Sequence, residues 1–173
     1  VVVAALEAAG HEVTNIDRAV PGIEKPGFIK VDLTDYGATF AAMHGHDAVV
    51  QLAANGEPDW DHVSGAARFH VNTLIAYNVF QAACFLGMKR VVWASSETVL
   101  GFPFAQVHPK VLPTSDDDPP IPTSSYGISK AVTEDLARHM HRRYGVDFVG
   151  LRFSNIFYET PGHVTGYEKV PSF

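Results

Sequence analysis

The stretch Asp47-Ala48-Val49-Val50-Gln51-Leu52 decides the fold class of this chain, because it forms a continuous apolar run. Runs of this kind are typical of parallel strands that are buried on both faces. A second buried strand is predicted by the run Arg90-Val91-Val92-Trp93-Ala94. The two runs together predict a parallel sheet.

Predicted strands alternate with predicted helices outward from these two runs. Strands are expected at 11–17, 28–31, 47–52, 90–94 and 147–153, and helices at 1–9, 34–43, 61–86 and 125–144. Gly10 and Gly87 suit the ends of two helices, and Thr34 suits the start of another. This alternation predicts an α/β fold with a doubly wound, Rossmann-like parallel sheet and helices on both of its faces.

The composition is that of a single globular domain. The chain has 173 residues, 46% of them hydrophobic and 18% charged, with a net charge of −6. The chain has no excess of basic residues that would indicate nucleic-acid binding. It also has no apolar run that approaches the roughly 20 residues of a membrane helix. The single cysteine, Cys84, cannot form an internal disulfide, which favours a reducing cytoplasm, and its apolar surroundings predict a buried structural thiol.

No metal site is predicted. The acidic run Asp116-Asp117-Asp118 lies between prolines and is typical of a solvated loop. The histidine pairs 44/46 and 139/141 are two residues apart, so their side chains face different sides of a helix.

Tyr126 and Lys130 carry the clearest chemical signal, because residues four apart on a helix share one face. A free tyrosine, with a pKa of about 10, is a poor base at neutral pH. A lysine cation beside it favours the phenolate and lowers that pKa. Tyr126 is therefore expected to exchange a proton with a substrate hydroxyl or carbonyl.

Ligands of an open parallel sheet bind beyond the carboxyl ends of its strands, and candidate cofactor residues occur there. Asp17 suits the ribose hydroxyls of NAD and repels the 2′-phosphate of NADP, although Arg18 beside it could hold that phosphate. Asp32 suits the adenine amino group and Leu33 the adenine ring. Small residues after the third strand would let the cofactor lie close to the backbone, unless they serve tight packing; this segment is Leu52-Ala53-Ala54. NAD is thus favoured over NADP.

Candidate substrate residues follow the last two strands. Ser96, Glu97 and Thr98 follow the strand at 90–94, close to the start of the Tyr126 helix, and a serine there can bond the substrate oxygen. The last strand brings Arg152-Phe153-Ser154-Asn155 to the same edge, and Phe153 and Asn155 are expected to contact substrate.

These motifs together resemble the extended short-chain dehydrogenase/reductase superfamily, in particular the NAD-dependent epimerase/dehydratase family that acts on sugars and nucleotide sugars. The resemblance is carried by 10–13, Asp17, 32–33, 52–54, 91–101, 125–130 and 151–155. It implies that Tyr126 is the general acid/base, that Lys130 tunes it and bonds the nicotinamide ribose, and that Ser96 is the catalytic serine. Asn72 matches a family asparagine that braces the site beside the cofactor.

The chain departs from the family pattern at both ends. The family opens with a strand and a Gly-x-x-Gly-x-x-Gly loop that holds the pyrophosphate, whereas Val1 falls inside the helix that should follow. Residues 1–155 are thus expected to form a dinucleotide-binding domain without its first strand and glycine loop, and 156–173 to begin the substrate-binding region. Leu100 replaces the usual tyrosine, and 95–102 is more similar to uronate dehydrogenases than to nucleotide-sugar epimerases.

The function implied is an NAD-dependent oxidoreductase or epimerase whose partners are a sugar, sugar acid or nucleotide sugar and a second copy of the chain. An epimerase or dehydratase returns the hydride to its substrate, whereas a dehydrogenase releases NADH. The alternative from another class is a non-catalytic NAD(P)-sensing or regulatory protein on the same scaffold.

Overall fold

Strands and helices alternate along the chain in the computed structural model, which describes residues 1–19, 27–56, 64–104, 107–154 and 156. The strands are β1 (Asn15–Asp17), β2 (Phe28–Lys30), β3 (Ala48–Gln51), β4 (Arg90–Ser96) and β5 (Asp147–Phe153). The helices are α1 (Val2–Ala8), α2 (Tyr36–Met43), α3 (Gly65–Phe85) and α4 (Ser125–Tyr144), and a 3₁₀ turn spans Glu97–Leu100. The predicted alternation is confirmed.

All described strand pairs are parallel. β1 pairs with β2, and β3, β4 and β5 form a separate sheet in that order. A doubly wound sheet has six strands in the order 3-2-1-4-5-6, with strand 1 at the centre. Without strand 1, this order leaves a pair of strands on one side and three strands on the other. The pair corresponds to β2-β1 of this chain, and the three strands correspond to β3-β4-β5. In the described part of the chain, no strand occupies that central position between β1 and β3.

The core lies on one face of the larger sheet. Val91 and Trp93 of β4 point towards α3 and α4, and the Phe80 ring of α3 lies 5.7 Å from Trp93 and 5.0 Å from Phe148 between centroids. Ala137 and Met140 of α4 complete this contact, with Val79, Ala82 and Ala83 of α3. Burial of these side chains stabilises the packing of both helices on the sheet.

The prediction that β3 is buried on both faces is wrong for the described chain. Val50, Val92 and Val149 stand in one row across β3, β4 and β5, on the face away from Val91. Val50 is 38% exposed and Val149 41%, because α3 and α4 cover the other face. Helix α1 has no buried residue either.

Local capping explains where the helices begin and end. The predicted cap at Thr34 is wrong: Asp35 caps α2 by accepting a hydrogen bond from Ala38 N at 2.9 Å. The Thr34 hydroxyl instead donates to Asp32 Oδ1 at 2.7 Å. Helix α4 has the predicted bounds, because the Ser124 hydroxyl caps its start and Gly145, with φ of 74°, ends it.

Cys84 is partly buried and packs against the core, and burial raises the pKa of its thiol to about 11, as suits a structural residue. Across the described residues, no helix combines the length and apolar character that a bilayer span requires. The predicted start of the third helix at 61–63 lies outside the described residues.

Candidate active site

The candidate site forms where the end of β4 meets the start of α4. Ser96 is the last residue of β4, and Tyr126 is the second residue of α4. Both lie at the carboxyl edge of the parallel sheet, where ligands bind in folds of this kind. The structure therefore brings together the residues that the sequence predicted as catalytic.

Ser96 is held by its neighbour Thr98. The Ser96 hydroxyl oxygen accepts hydrogen bonds from the Thr98 backbone N–H at 3.2 Å and from the Thr98 hydroxyl at 3.0 Å. The Ser96 hydroxyl also acts on the phenol of Tyr126, whose pKa it lowers. A hydroxyl oxygen has two lone pairs and one proton. Because Thr98 donates to both lone pairs of Ser96, the Ser96 proton is available for donation to Tyr126.

The close approach of α4 to β4 depends on Gly127. A Cβ atom at this position would lie 2.7 Å from the Thr98 carbonyl oxygen and 3.0 Å from Pro122 Cβ. Any other residue would push the first turn of α4 away from the 3₁₀ turn. The glycine after Tyr126 therefore allows the Tyr126–Ser96 contact.

Lys130 lies one turn after Tyr126 and is 5% exposed. Its ammonium donates a hydrogen bond to the Ala94 carbonyl oxygen at 2.6 Å and lies 5.5 Å from the centroid of the Tyr126 ring. Burial lowers the pKa of Lys130 to about 8. At neutral pH the side chain is therefore still mostly a cation, placed against the tyrosine ring.

The expected lowering of the Tyr126 pKa is not found in this arrangement. Burial raises the pKa of Tyr126 above its usual value, and the hydrogen bond from Ser96 offsets this only in part. The physical reason is desolvation, which disfavours the phenolate. The Lys130 ammonium points to Ala94 instead of the phenol oxygen.

Asn72 braces the site from helix α3. Its Oδ1 accepts from Asn55 N at 2.7 Å, and its Nδ2 donates to Asn55 O at 3.1 Å and to Ser129 Oγ at 3.4 Å. Ser129 in turn donates to the Tyr126 carbonyl at 2.7 Å. Asn72 therefore links the segment after β3 to the Tyr126 helix, which supports the bracing role and not a direct cofactor contact.

The predicted adenosine-binding residues follow β1 and β2. Asp17 is exposed, with its Oδ1 accepting from Ala19 N at 3.0 Å, and Arg18 beside it is exposed too. Asp32 is exposed, and hydrogen bonds from the backbone and hydroxyl of Thr34 hold its pKa below the usual value. Leu33 is partly buried against the core, so part of its surface is already used for packing.

The small residues after β3 are exposed to solvent. Ala53 and Ala54 are exposed and Leu52 is 46% exposed. Gln51 holds the backbone here by donating from Nε2 to Ala53 O at 2.6 Å. This segment offers an uncovered surface beside the end of β4.

The predicted substrate residues divide into two groups. Glu97 and Thr98 lie in the 3₁₀ turn beside Ser96, and Phe153 stands opposite Ser96 in the β4–β5 register and is 36% exposed. Asn155 lies outside the described residues. Arg152, at the same strand end, does not offer its side chain to a substrate, because its guanidinium is bound to Glu134.

Glu134 is the residue of this region that sequence reasoning missed. It lies four residues after Lys130 and eight after Tyr126, so the three side chains share one face of α4. That spacing was a usable signal. Among the described residues, no three His, Cys, Asp or Glu side chains group in a way that could hold a metal ion.

A model of the NAD dependent epimerase/dehydratase family matches residues 1–171 of the chain. The chain belongs to this family. The resemblance drawn from its motifs is thereby confirmed, and so is the Rossmann-like fold class.

Two relatives of this chain carry the names of sugar dehydrogenases. L-arabinose 1-dehydrogenase (NAD(P)(+)) of Haloferax volcanii is 36% identical over 155 residues, which cover 84% of this chain and 58% of that protein. Uronate dehydrogenase of Pseudomonas syringae pv. tomato is 33% identical over 130 residues, covering 74% and 43% of the two chains. The chain thus spans about half the length of these relatives.

A solved structure shows the same fold. The crystal structure of a short-chain dehydrogenase/reductase superfamily protein from Agrobacterium tumefaciens, with bound NAD, matches 88% of this chain and 44% of its own. The TM-score is 0.76 and the sequence identity 33%.

Proposed function

We propose that this chain is the cofactor-binding and catalytic part of a longer NAD-dependent oxidoreductase that acts on a sugar, sugar acid or nucleotide sugar. The observation that carries this proposal is the cluster of Ser96, Tyr126 and Lys130 at the carboxyl edge of the sheet. Family membership alone would support the scaffold, whereas the pairing of a serine and a tyrosine hydroxyl with the Lys130 ammonium supports catalysis.

In this proposal Tyr126 takes the proton of a substrate hydroxyl, or returns it to a carbonyl. Ser96 donates to the Tyr126 oxygen and stabilises the phenolate that forms. Below its pKa of about 8, the Lys130 cation, 5.5 Å from the centroid of the tyrosine ring, adds a positive charge beside that phenolate. Because burial raises the Tyr126 pKa, oxidation of the substrate should become faster towards alkaline pH.

The residues at the strand ends fit NAD. The exposed segment 52–54 leaves room for a dinucleotide beside β4, and the exposed carboxylates of Asp17 and Asp32 suit ribose hydroxyls and an adenine amino group. Lys130 has three ammonium donors and uses one on Ala94, which leaves donors for the nicotinamide ribose. NAD, when bound, would accept the hydride. Asp17 favours NAD over NADP, with Arg18 as the competing influence.

The longer protein would supply what this chain does not show. The central position of the sheet, between β1 and β3, suits a preceding strand, and the glycine-rich loop that holds the pyrophosphate would follow that strand. Residues 156–173 would begin a substrate-binding region. We assign the protein to the cytoplasm, on the evidence of its single cysteine.

The test is turnover by the longer protein, which includes this glycine-rich segment. It would be incubated with NAD and, in turn, an aldose, a uronic acid and a nucleotide sugar, while NADH absorbance and substrate consumption are followed. A steady rise in NADH identifies a dehydrogenase, and conversion without net NADH identifies an epimerase or dehydratase. NAD binding without turnover of any of the three classes would contradict the proposal and favour the NAD-sensing alternative.

A further inference from the structure

A buried carboxylate lies below the candidate active site. The Glu134 side chain is 8% exposed. Its Oε1 accepts from Ser95 Oγ at 2.7 Å and from Arg152 Nε at 2.9 Å, and its Oε2 accepts from Arg152 Nη2 at 2.8 Å. The two bonds to Arg152 form a planar fork, the geometry in which a guanidinium holds a carboxylate most strongly.

These contacts join separate parts of the fold. Glu134 belongs to α4, Ser95 to β4 and Arg152 to β5. Arg152 also donates from Nη1 to the Asp116 carbonyl oxygen at 3.2 Å, and so reaches the loop before α4. One carboxylate thus fixes two strand ends, a helix and a loop relative to one another.

The positions of Glu134 and Ser95 link this cluster to the proposed chemistry. Glu134 is two helical turns from Tyr126 on the same face of α4, and Ser95 is the residue before Ser96. The bond between Glu134 and Ser95 therefore sets the separation of the two elements that carry the Ser96 and Tyr126 hydroxyls. A change of a few tenths of an ångström there would alter the distance between those hydroxyls and so weaken the action of Ser96 on Tyr126.

Stability alone does not account for a buried ion pair. Well-packed apolar side chains of similar volume often stabilise a fold as well as, or better than, such a pair. A hydrogen-bonded fork, however, fixes distance and orientation more narrowly than apolar contacts do.

We propose that Glu134, held by Arg152, is a positioning residue that fixes the end of β4, and so the Ser96 hydroxyl, relative to Tyr126 on α4. The inference rests on the proposed function. It predicts that loss of the Glu134 charge slows the chemical step while leaving the binding of NAD and substrate nearly unchanged.

The test compares Glu134→Gln with the control Asp135→Asn in the longer protein. Asp135 is the next residue of α4, and its side chain is 80% exposed and paired with Arg138, whose other nitrogen makes a long contact of 3.4 Å with Glu134 Oε2. For Glu134→Gln we expect kcat to fall about tenfold or more, as for lost hydrogen bonds to charged groups. KM and the Kd of NAD should stay within about twofold, and Asp135→Asn should match the wild type.

A second measurement does not depend on turnover. The Thr98 backbone N–H, which is bonded to Ser96 Oγ, reports on this register through its hydrogen exchange. We expect it to exchange faster in Glu134→Gln and unchanged in Asp135→Asn. If Thr98 exchanges faster in Glu134→Gln but the wild type turns over no sugar, the proposed function is refuted and the positioning geometry is still supported.

The inference is overturned if the wild type is active and Glu134→Gln keeps its kcat, with or without a lower Tm. Should Glu134→Gln fail to fold, Arg152→Lys is tested instead, because it keeps the positive charge but loses the forked pair of hydrogen bonds. For this variant too, kcat should fall while KM stays nearly unchanged. A variant with both residues replaced by Met separates the roles further: recovered Tm with kcat still low supports positioning, and recovered kcat contradicts it.

Discussion

At the scale of single residues, the direction of the Ser96 hydroxyl proton matters most for the proposed chemistry. Thr98 donates two hydrogen bonds to Ser96, which leaves the Ser96 proton for Tyr126. We expect Thr98→Val to lower kcat by about 2- to 10-fold, the usual worth of one hydrogen bond. Thr98→Ser keeps the hydroxyl and is the matched control. Equal kcat values for the two variants would show that Thr98 does not orient Ser96.

The buried Lys130 makes stability depend on pH in a defined window. Its pKa is about 8 in the folded chain and 10.5 in its usual environment. Between those values the unfolded chain holds more protons, so the free energy of unfolding rises with pH, by about 3 kcal/mol at most.

Lys130→Met should remove this rise. The measurement is denaturant unfolding of both proteins from pH 7 to pH 10.5, the upper value being the usual lysine pKa. The wild-type free energy, relative to that of the variant, should increase across the window. A difference that stays flat with pH would place the Lys130 ammonium in solvent.

At the scale of elements, Gly127 controls how closely α4 approaches β4. Alanine normally stabilises a helix by about 1 kcal/mol relative to glycine. Here its Cβ would meet the Thr98 carbonyl oxygen at 2.7 Å, so we expect Gly127→Ala to lower both kcat and Tm.

Gly37 of α2 provides the control for Gly127. Its nearest neighbour for a Cβ is Asp35 Oδ1 at 3.4 Å, an ordinary contact, so Gly37→Ala should leave kcat unchanged and Tm equal or higher. If Gly127→Ala behaved in the same way as Gly37→Ala, the close packing of α4 on the 3₁₀ turn would be refuted.

Local signals explain which elements could be predicted from the sequence. Helix α4 was predicted with its observed bounds, because Ser124 and Gly145 are unambiguous caps. Strand β1 begins at Asn15 and not at 11, since its pairing with β2 starts only there. For α2, Thr34 and Asp35 are both suitable caps, and only the contact with Asp32 decides between them.

Tertiary packing explains what the sequence could not supply. The Tyr126–Lys130 spacing predicted the pair but not its electrostatics, because the rise in the Tyr126 pKa comes from burial. Glu134 and Arg152 are 18 residues apart and on different elements, so no local pattern joins them. Likewise, the exposed face at Val149 follows from where α3 and α4 pack.

At the scale of the whole molecule, the outer surfaces of α3 and α4 suit a second copy of the chain. The exposed apolar side chains there are Phe69, Tyr77 and Phe85 of α3 and Ile128, Val132 and Tyr144 of α4. Phe85 and Tyr144 join the two surfaces, with ring centroids 5.8 Å apart. Exposed apolar surface marks interaction sites, and two-fold dimers are the commonest assemblies of identical chains.

We therefore expect the longer protein to be a homodimer that Phe85→Asp dissociates. Light scattering on both proteins measures the mass directly. The control is Leu112→Asp, which changes a loop residue that is 74% exposed. A wild-type monomer, or a dimer that Phe85→Asp leaves intact, would exclude this surface.

The central claim is that Tyr126 transfers the proton in a sugar oxidoreductase, and the kcat of Tyr126→Phe in the longer protein tests it most directly. Only the hydroxyl is lost, so kcat should fall about 10²- to 10⁴-fold while the Kd of NAD stays nearly unchanged. Tyr36→Phe, which removes a hydroxyl from a ring packed against the core, should keep full activity. A Tyr126→Phe enzyme with near-normal kcat would contradict the account.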